Sequence, residues 1–170
     1  GTWEKLIEAD PNHTEALVML SRAHYFLADG FLALQAPDNE AVAKQEFATY
    51  EKGTNYGERA LVLLDPAFGE AMRAGKKFEE AISKIESKAT PAAYWYAVNL
   101  GRFASKKGIQ QRLYYKDKLR ATMERVLEVS PKYFWGAPDR YLGAYFALLP
   151  GIAGRDLPRS AKHFESSLAI

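Results

Sequence analysis

Residues 126–131 read Val-Leu-Glu-Val-Ser-Pro, and this pattern of an apolar helix end, a polar residue and a proline occurs three times. The other two copies are residues 6–11 (Leu-Ile-Glu-Ala-Asp-Pro) and residues 63–66 (Leu-Leu-Asp-Pro). A residue that precedes proline is disfavoured in the helical conformation, so a helix ends at or before it. The three stretches therefore predict three helices that each stop just before a proline.

Between these stops the apolar residues follow a helical spacing, and β-branched residues are sparse. We predict an all-α fold with helices at residues 3–9, 14–35, 39–64, 74–87, 91–106, 112–129, 138–149 and 157–170, and a short helical turn at 67–72. A further stop is predicted at Ala36-Pro37. The residue types favoured at helix N-caps are predicted in that role at Thr14, Asp38, Thr90 and Asp156.

The repeated ending resembles the second helix of a tetratricopeptide repeat, which closes on a proline. Leu142, Gly143 and Phe146 fit the consensus of the first helix. The prolines lie 55 and 65 residues apart, whereas the consensus repeat has about 34 residues. We therefore predict a tetratricopeptide-like array of antiparallel helix pairs, an α-solenoid, with insertions.

The length suits a single helical domain over residues 1–170. In repeat register, the chain begins within the second helix of a pair and stops just before an expected proline. We therefore expect a fragment truncated at both ends. A terminal helix without its neighbour leaves an apolar face open in such a stack, so self-association is also expected.

The residues that carry most enzyme and cofactor chemistry do not form a recognisable pattern. The chain has no cysteine, and its three histidines, His13, His24 and His163, do not have the spacing of metal ligands. The glycine-containing loop at 149–154 lacks the Gly-Lys-Ser/Thr ending of a phosphate loop. We expect no enzyme activity, no metal and no cofactor.

Charge is distributed unevenly along the chain. Residues 1–85 carry 9 basic and 14 acidic residues, whereas residues 86–170 carry 14 and 7. Residues 102–120 hold seven Lys and Arg residues, against Asp117 alone. Such a stretch can bind an anionic partner. We do not expect nucleic acid to be that partner, because a solvated helix end is the commoner explanation.

The stretch Thr-Pro-Ala-Ala-Tyr-Trp-Tyr-Ala-Val-Asn-Leu-Gly-Arg-Phe-Ala at residues 90–104 is apolar nearly all round a helix, which indicates a central position. Trp95, Asn99 and Arg102 share one face, while Tyr94, Val98 and their neighbours share another that should meet the partner helix. Two interpretations remain open. The helix either holds a satisfied polar cluster in the core or forms the wall of a ligand cavity.

Residues 133–156 form a second aromatic stretch, which begins irregularly at Trp135-Gly136. Tyr141 and Tyr145 share a helix face with Leu148. An apolar loop, Leu-Pro-Gly-Ile-Ala-Gly at 149–154, stands where an ordinary repeat would turn directly into its second helix. A packed connector is the plain interpretation of this loop.

Segments 56–66, 90–102 and 136–165 together resemble the T-component (TatT) family of TRAP transporter systems, and the inserted Leu-Pro-Gly loop is the most specific part of the likeness. The resemblance implies a non-enzymatic accessory protein of a solute uptake system in the bacterial periplasm. It also implies binding to the solute-binding P component, a ring-like homo-oligomer such as a trimer, and an apolar channel. Members are usually lipid-anchored at the N-terminus, but this chain has no cysteine to carry an anchor.

Under this interpretation the cavity would hold a small organic or hydrophobic acid, and Arg102 and Arg140 would bind its acid group. The predicted ligand-binding residues are Trp95, Tyr96, Asn99, Arg102, Trp135, Arg140, Tyr141 and Tyr145. The alternative is a generic tetratricopeptide scaffold that binds a peptide, or its terminal carboxylate, in a concave groove. Its predicted clamp consists of Lys106, Lys107, Lys116 and Lys118.

Overall fold

The computed structural model describes residues 1–35 and 39–170. The predicted helix stop at Ala36-Pro37 and the predicted N-cap Asp38 lie outside the described residues. Every regular element in the described part of the chain is helical, and no strand occurs there. The predicted all-α class is therefore confirmed, while the tetratricopeptide-like solenoid stays a prediction.

Nine α-helices carry the fold of residues 1–35 and 39–170. They are α1 (Thr2–Ala9), α2 (Thr14–Leu27), α3 (Glu40–Leu64), α4 (Pro66–Arg73), α5 (Phe78–Ile82), α6 (Thr90–Lys107), α7 (Ile109–Val129), α8 (Ala137–Leu148) and α9 (Leu157–Leu168). Helix α2 continues through a π-helical turn (Ala28–Leu32) into a last α-helical turn (Ala33–Gln35). Short 3₁₀ turns at Ser87–Ala89 and Gly151–Ala153 precede α6 and α9.

The three proline-directed stops are confirmed, since α1, α3 and α7 end at residues 9, 64 and 129. Among the N-caps, Asp156 is confirmed, because its Oδ1 accepts the Arg159 N–H at 2.9 Å. The prediction for Thr14 was wrong. His13 caps α2 instead, with Nδ1 accepting the Ala16 N–H at 3.2 Å. Thr90 is likewise the first helical residue, with Ala89 in the cap position.

The predicted helix at 74–87 was wrong, because this stretch is broken into short pieces. Gly75 takes a left-handed backbone conformation (φ +72°), which ends the preceding helix. The Ile85 carbonyl is taken up by Arg125 of α7, whose Nε and Nη2 donate to it at 2.9 and 2.7 Å. Contacts distant in sequence therefore override the local helical pattern here.

Helix α6 lies at the centre of the molecule, and residues 92–100 are all buried. It packs against α2, α3 and α7, while α7 also contacts α8 and α8 packs against α9. Two glycines of α3, Gly53 and Gly57, allow its close approach to α6. A Cβ at Gly57, for example, would lie 2.8 Å from the Tyr96 Cα. Close packing of α3 on α6 therefore depends on glycine at these positions.

The segment Thr14–Gln35 is long and apolar enough to cross a membrane, judged by length and composition alone. In the folded chain one side of it packs on α3 and α6, with Leu17 and Leu20 buried. Phe31 and Leu34, near its end, are exposed. Core helices of soluble proteins and signal sequences share this length and composition.

Candidate functional site

A cavity of about 370 Å³ lies among α6, α7 and α8, with Tyr25 of α2 at one side. Basic residues on its wall are Arg102, Arg112, Lys116 and Arg140. Tyrosines on its wall are Tyr25, Tyr94, Tyr141 and Tyr145. The described residues place no carboxylate on the lining, so the cavity is both aromatic and cationic.

One stripe of α6 forms the inner wall. Tyr94, Val98, Gly101 and Ser105 recur at intervals of three or four residues and all line the cavity. Gly101 makes room for α8, since a Cβ there would lie 2.7 Å from the Tyr141 hydroxyl oxygen. This stripe was predicted to pack against the partner helix. At its small residues, Gly101 and Ser105, it instead leaves space that forms part of the cavity.

The tyrosine hydroxyls of the cavity are neutral donors at physiological pH. Burial raises the pKa of Tyr94 and of Tyr141 above the usual value. Burial also raises the pKa of Tyr145 to about 12. The Tyr145 hydroxyl donates to the Lys116 carbonyl at 3.0 Å, whereas no residue that the structure describes hydrogen-bonds to the hydroxyls of Tyr94 and Tyr141. These two groups can therefore donate to a bound molecule.

Arg102 is held by a carboxylate behind the cavity wall. Its Nη2 lies 2.8 Å from Asp29 Oδ1. The same carboxylate accepts hydrogen bonds from the hydroxyls of Tyr50 at 3.1 Å and Tyr25 at 3.4 Å. The charge of Arg102 is thus largely balanced within the protein.

Arg112 and Arg140 differ from Arg102, because their partners in the described residues are not carboxylates. Arg112 Nη2 donates to the Leu148 carbonyl at 2.9 Å. Arg140 donates to the carbonyls of Trp135 and Phe134. Carbonyl partners orient a guanidinium without neutralising it. These two arginines are therefore the strongest anion-binding groups of the cavity.

Four of the eight predicted site residues, Arg102, Arg140, Tyr141 and Tyr145, lie on this cavity. The other four lie elsewhere: Trp95, Tyr96 and Asn99 are buried in the core, and Trp135 is 76% exposed at the surface. The structure therefore does not bring the eight residues together on one wall.

The core positions of Trp95 and Asn99 fit the interpretation of a polar cluster in the core, although Asn99 Oδ1 has no hydrogen-bond partner among the described residues. Trp95 Nε1 donates to the Tyr133 hydroxyl at 3.1 Å. Asn99 Nδ2 donates to the carbonyls of Ser21 at 3.0 Å and Trp95 at 2.8 Å. The bond from Asn99 to Ser21 joins α2 and α6 inside the core.

The sequence did not predict Tyr25, Tyr94 and Arg112 as lining residues, and Lys116 was assigned to the lysine clamp of the alternative and not to the cavity. Tyr94 could have been found from its helical register with Val98 and Gly101, because a stripe that includes a glycine leaves space beside it. Tyr25 comes from a distant helix, and no local pattern marks it.

The four lysines of the alternative clamp have separate partners. Lys106 pairs with the buried Glu46 at 2.8 Å, and Lys116 contacts Asp117 at 3.0 Å. Lys107 lies over the rings of Phe47 and Phe103, and Lys118 lies over Phe78. They therefore do not converge on one groove. The described residues also contain no group of three or more acidic or histidine side chains that could hold a metal.

Comparison with protein families identifies the chain. A family model described as TRAP transporter T-component matches residues 2–170. The chain belongs to the TRAP transporter T-component family. No curated protein matches it. As a T-component, it has an accessory role in a TRAP transport system and is periplasmic or membrane-associated.

Proposed function

We propose that this T-component binds a small organic acid in the cavity among α6, α7 and α8 and passes it on within its TRAP system. The observation that supports this function is the lining itself. It has four basic side chains and four tyrosines, with no carboxylate among the described lining residues. The volume of about 370 Å³ lies in the range of small-molecule sites.

The proposed binding mode assigns separate tasks to the lining groups. Arg112 and Arg140 attract the acid, because charge-assisted hydrogen bonds to a carboxylate are the strongest that a guanidinium makes. The hydroxyls of Tyr94 and Tyr141 donate further hydrogen bonds. Val98 and Leu119 pack on the apolar body of the ligand. Binding, release and orientation are then the whole chemistry, and no bond is made or broken.

The same proposal includes the solute-binding P component as the protein partner, in the periplasm, with a lipid anchor on the full-length protein. The chain would act as a homo-oligomer, with a trimer as one arrangement, built on a tetratricopeptide-like array. The excess of basic residues in the second half of the chain supports anionic ligands and partners.

Calorimetry with candidate organic acids tests the cavity. Arg112→Gln should weaken binding by about ten- to a hundredfold, the usual effect of losing a charged hydrogen bond. Lys107→Gln is the matched control, because it removes the same charge near the end of α6 but does not touch the cavity. Equal affinities of the two variants would reject the proposed site.

The P component is tested in the same way. If Lys107→Gln weakens binding to the purified P component while Arg112→Gln leaves the binding of every acid unchanged, the scaffold function replaces the cavity function. Mass spectrometry of molecules that co-purify with the chain supplies the candidate acids.

A further inference from the structure

Two helix connections lie at the same end of the molecule. Helices α6 and α7 turn at Gly108, and α8 connects to α9 through the 3₁₀ turn Gly151–Ala153. Because α7 packs against both α6 and α8, the two connections are neighbours. The hydrogen bond from Arg112 to the Leu148 carbonyl, at 2.9 Å, joins them directly. We call residues 105–112 together with residues 148–157 the hairpin end.

The hairpin end exposes aliphatic side chains to water. Leu148 is 66% exposed and Ile152, on the 3₁₀ turn, is 100% exposed. Ile109 and Leu157 are also more than half exposed. Single exposed apolar residues are ordinary, but several at one end of a molecule indicate a contact surface.

Basic residues surround these aliphatic tips. Arg155 Nε donates to the Leu149 carbonyl at 2.9 Å, so Arg155 and Arg112 each hold one carbonyl at the base of the loop that carries Ile152. Lys107, whose ammonium lies over the rings of Phe47 and Phe103, adds a third charge two residues before Ile109. The hairpin end thus combines these three basic residues with exposed aliphatic side chains.

Three acidic residues near the hairpin end have partners among the residues that the structure describes. Asp156 caps α9 by accepting the Arg159 N–H at 2.9 Å. Glu46 pairs with Lys106 at 2.8 Å, and Asp117 contacts Lys116 at 3.0 Å. Residues 102–116 contain five basic and no acidic residues. The electrostatic character of this end is therefore positive.

We infer that the hairpin end docks on a bilayer that contains anionic phospholipids. Ile152 and Leu148 enter between the lipid headgroups, and Arg112, Arg155 and Lys107 contact the phosphates. Apolar burial combined with attraction to anionic lipid is the general basis of interfacial binding. This inference does not depend on a ligand in the cavity.

The shape and charge of the surface favour lipid over a protein partner. A protein interface has a well-packed core in which charged residues are depleted. At the hairpin end, by contrast, the aliphatic side chains of Leu148 and Ile152 are exposed singly, and basic residues lie next to them. Tyr114, which is 76% exposed, lies five residues beyond Ile109 on α7, about 7.5 Å along the helix axis. That depth places its ring at the headgroup level, where tyrosine is enriched.

Because Arg112 and Leu148 also line the cavity, docking would bring the cavity beside the lipid headgroups. The variants for the test avoid both residues. Ile152 is fully exposed, and Arg155 makes one hydrogen bond to a backbone carbonyl, so both can be changed with little effect on folding. Circular dichroism confirms that each variant is folded.

Vesicle co-sedimentation of the whole chain tests the inference. The probes are vesicles of phosphatidylglycerol mixed with phosphatidylcholine, and vesicles of phosphatidylcholine alone. We expect binding to the anionic vesicles that weakens with added salt. Ile152→Asp should lower it more than tenfold, since an aspartate side chain cannot replace the apolar burial of isoleucine. Arg155→Gln should lower it about fivefold.

Leu168→Asp is the matched control, because Leu168 is 88% exposed at the opposite end of α9. It should bind the anionic vesicles as the unaltered chain does. The inference is overturned if the unaltered chain stays in solution with anionic vesicles at low salt, or if Leu168→Asp loses as much binding as Ile152→Asp. It is also overturned if Ile152→Asp abolishes binding to the P component and leaves vesicle binding unchanged.

Discussion

At the scale of single residues, the contact between Gly53 and Asn99 controls how closely α3 approaches α6. Asn99 donates to the Ser21 carbonyl, while the Ser21 hydroxyl donates to the Gly53 carbonyl at 2.7 Å. Three helices therefore meet at one buried polar point. Unpaired polar groups are costly inside a core, so the hydrogen bonds that Asn99 Nδ2 donates contribute to the stability of the fold.

Replacing Gly53 by alanine should destabilise the protein. The added Cβ would clash with Asn99 Oδ1 and lie 2.8 Å from Nδ2, so the buried amide must move. Overpacking of this kind costs about 1–3 kcal/mol of unfolding free energy, which urea titration followed by circular dichroism will measure. Gly30→Ala is the control, because nothing lies within 4 Å of its Cβ position. A Gly53→Ala chain as stable as Gly30→Ala would contradict this account of the core.

The residues of the candidate site could be predicted only in part. Arg102, Arg140, Tyr141 and Tyr145 were identified because aromatic and basic residues at helical spacing typify a ligand wall. On α6, Trp95 and Asn99 lie in the core, whereas Tyr94 and Val98 of the face predicted to meet the partner helix line the cavity. Periodicity defines the faces of a helix, but the neighbouring helices decide which face is core and which borders a gap. Asn99, for example, faces the core because it hydrogen-bonds to Ser21 of α2, which is 78 residues away in the chain.

At the scale of elements, helix ends were predictable where one local interaction decides them. Asp-Pro and Ser-Pro ended α1, α3 and α7 as predicted, because the constraint that proline imposes lies within the dipeptide. The stretch 74–87 was not predictable, since Arg125 of α7 takes up the Ile85 carbonyl. A helical pattern in the sequence contains no information about such a distant donor.

Asp65 joins two elements, and its removal should cost more than an ordinary cap. Its Oδ1 accepts the Phe68 N–H at 3.0 Å at the start of α4, and its Oδ2 accepts the Glu86 N–H at 3.4 Å. We expect Asp65→Ala to lower the unfolding free energy by about 2 kcal/mol, as for the stronger helix caps. Asp156→Ala removes an exposed cap and should cost about 1 kcal/mol or less. Thermal unfolding of both variants checks the order, and a smaller loss for Asp65→Ala would count against the bridging role.

At the scale of the whole molecule, tyrosines connect the core to the cavity. Burial raises the pKa of Tyr94, Tyr96 and Tyr141 well above the usual value and raises that of Tyr145 to about 12. The folded state therefore favours the neutral phenol. A raised pKa contributes stability that is present below the unfolded value and is lost as pH rises towards the folded value.

The ordinary pKa of tyrosine is about 10. We therefore expect the free energy of unfolding to decline above about pH 10 and to fall further towards pH 12. The denaturant midpoint, measured at steps across this window, should fall with tyrosinate absorbance appearing as the chain unfolds. Tyr114, which is exposed, provides the control, since Tyr114→Phe should leave the decline unchanged. A flat stability profile between pH 10 and pH 12 would contradict the burial of the phenols.

The ion pair between Arg102 and Asp29 has a consequence for how firmly a solute is held. The Asp29 carboxylate lies 2.8 Å from the Arg102 guanidinium. Because Asp29 belongs to the same chain, its effective concentration at Arg102 is high, and any acid that binds Arg102 must compete with it. Asp29→Asn would remove that competition while keeping an acceptor for Tyr50. We expect tighter acid binding and slower dissociation in stopped-flow measurements. Under the proposed function, the natural pair therefore limits the residence time of a bound acid, which favours its rapid release.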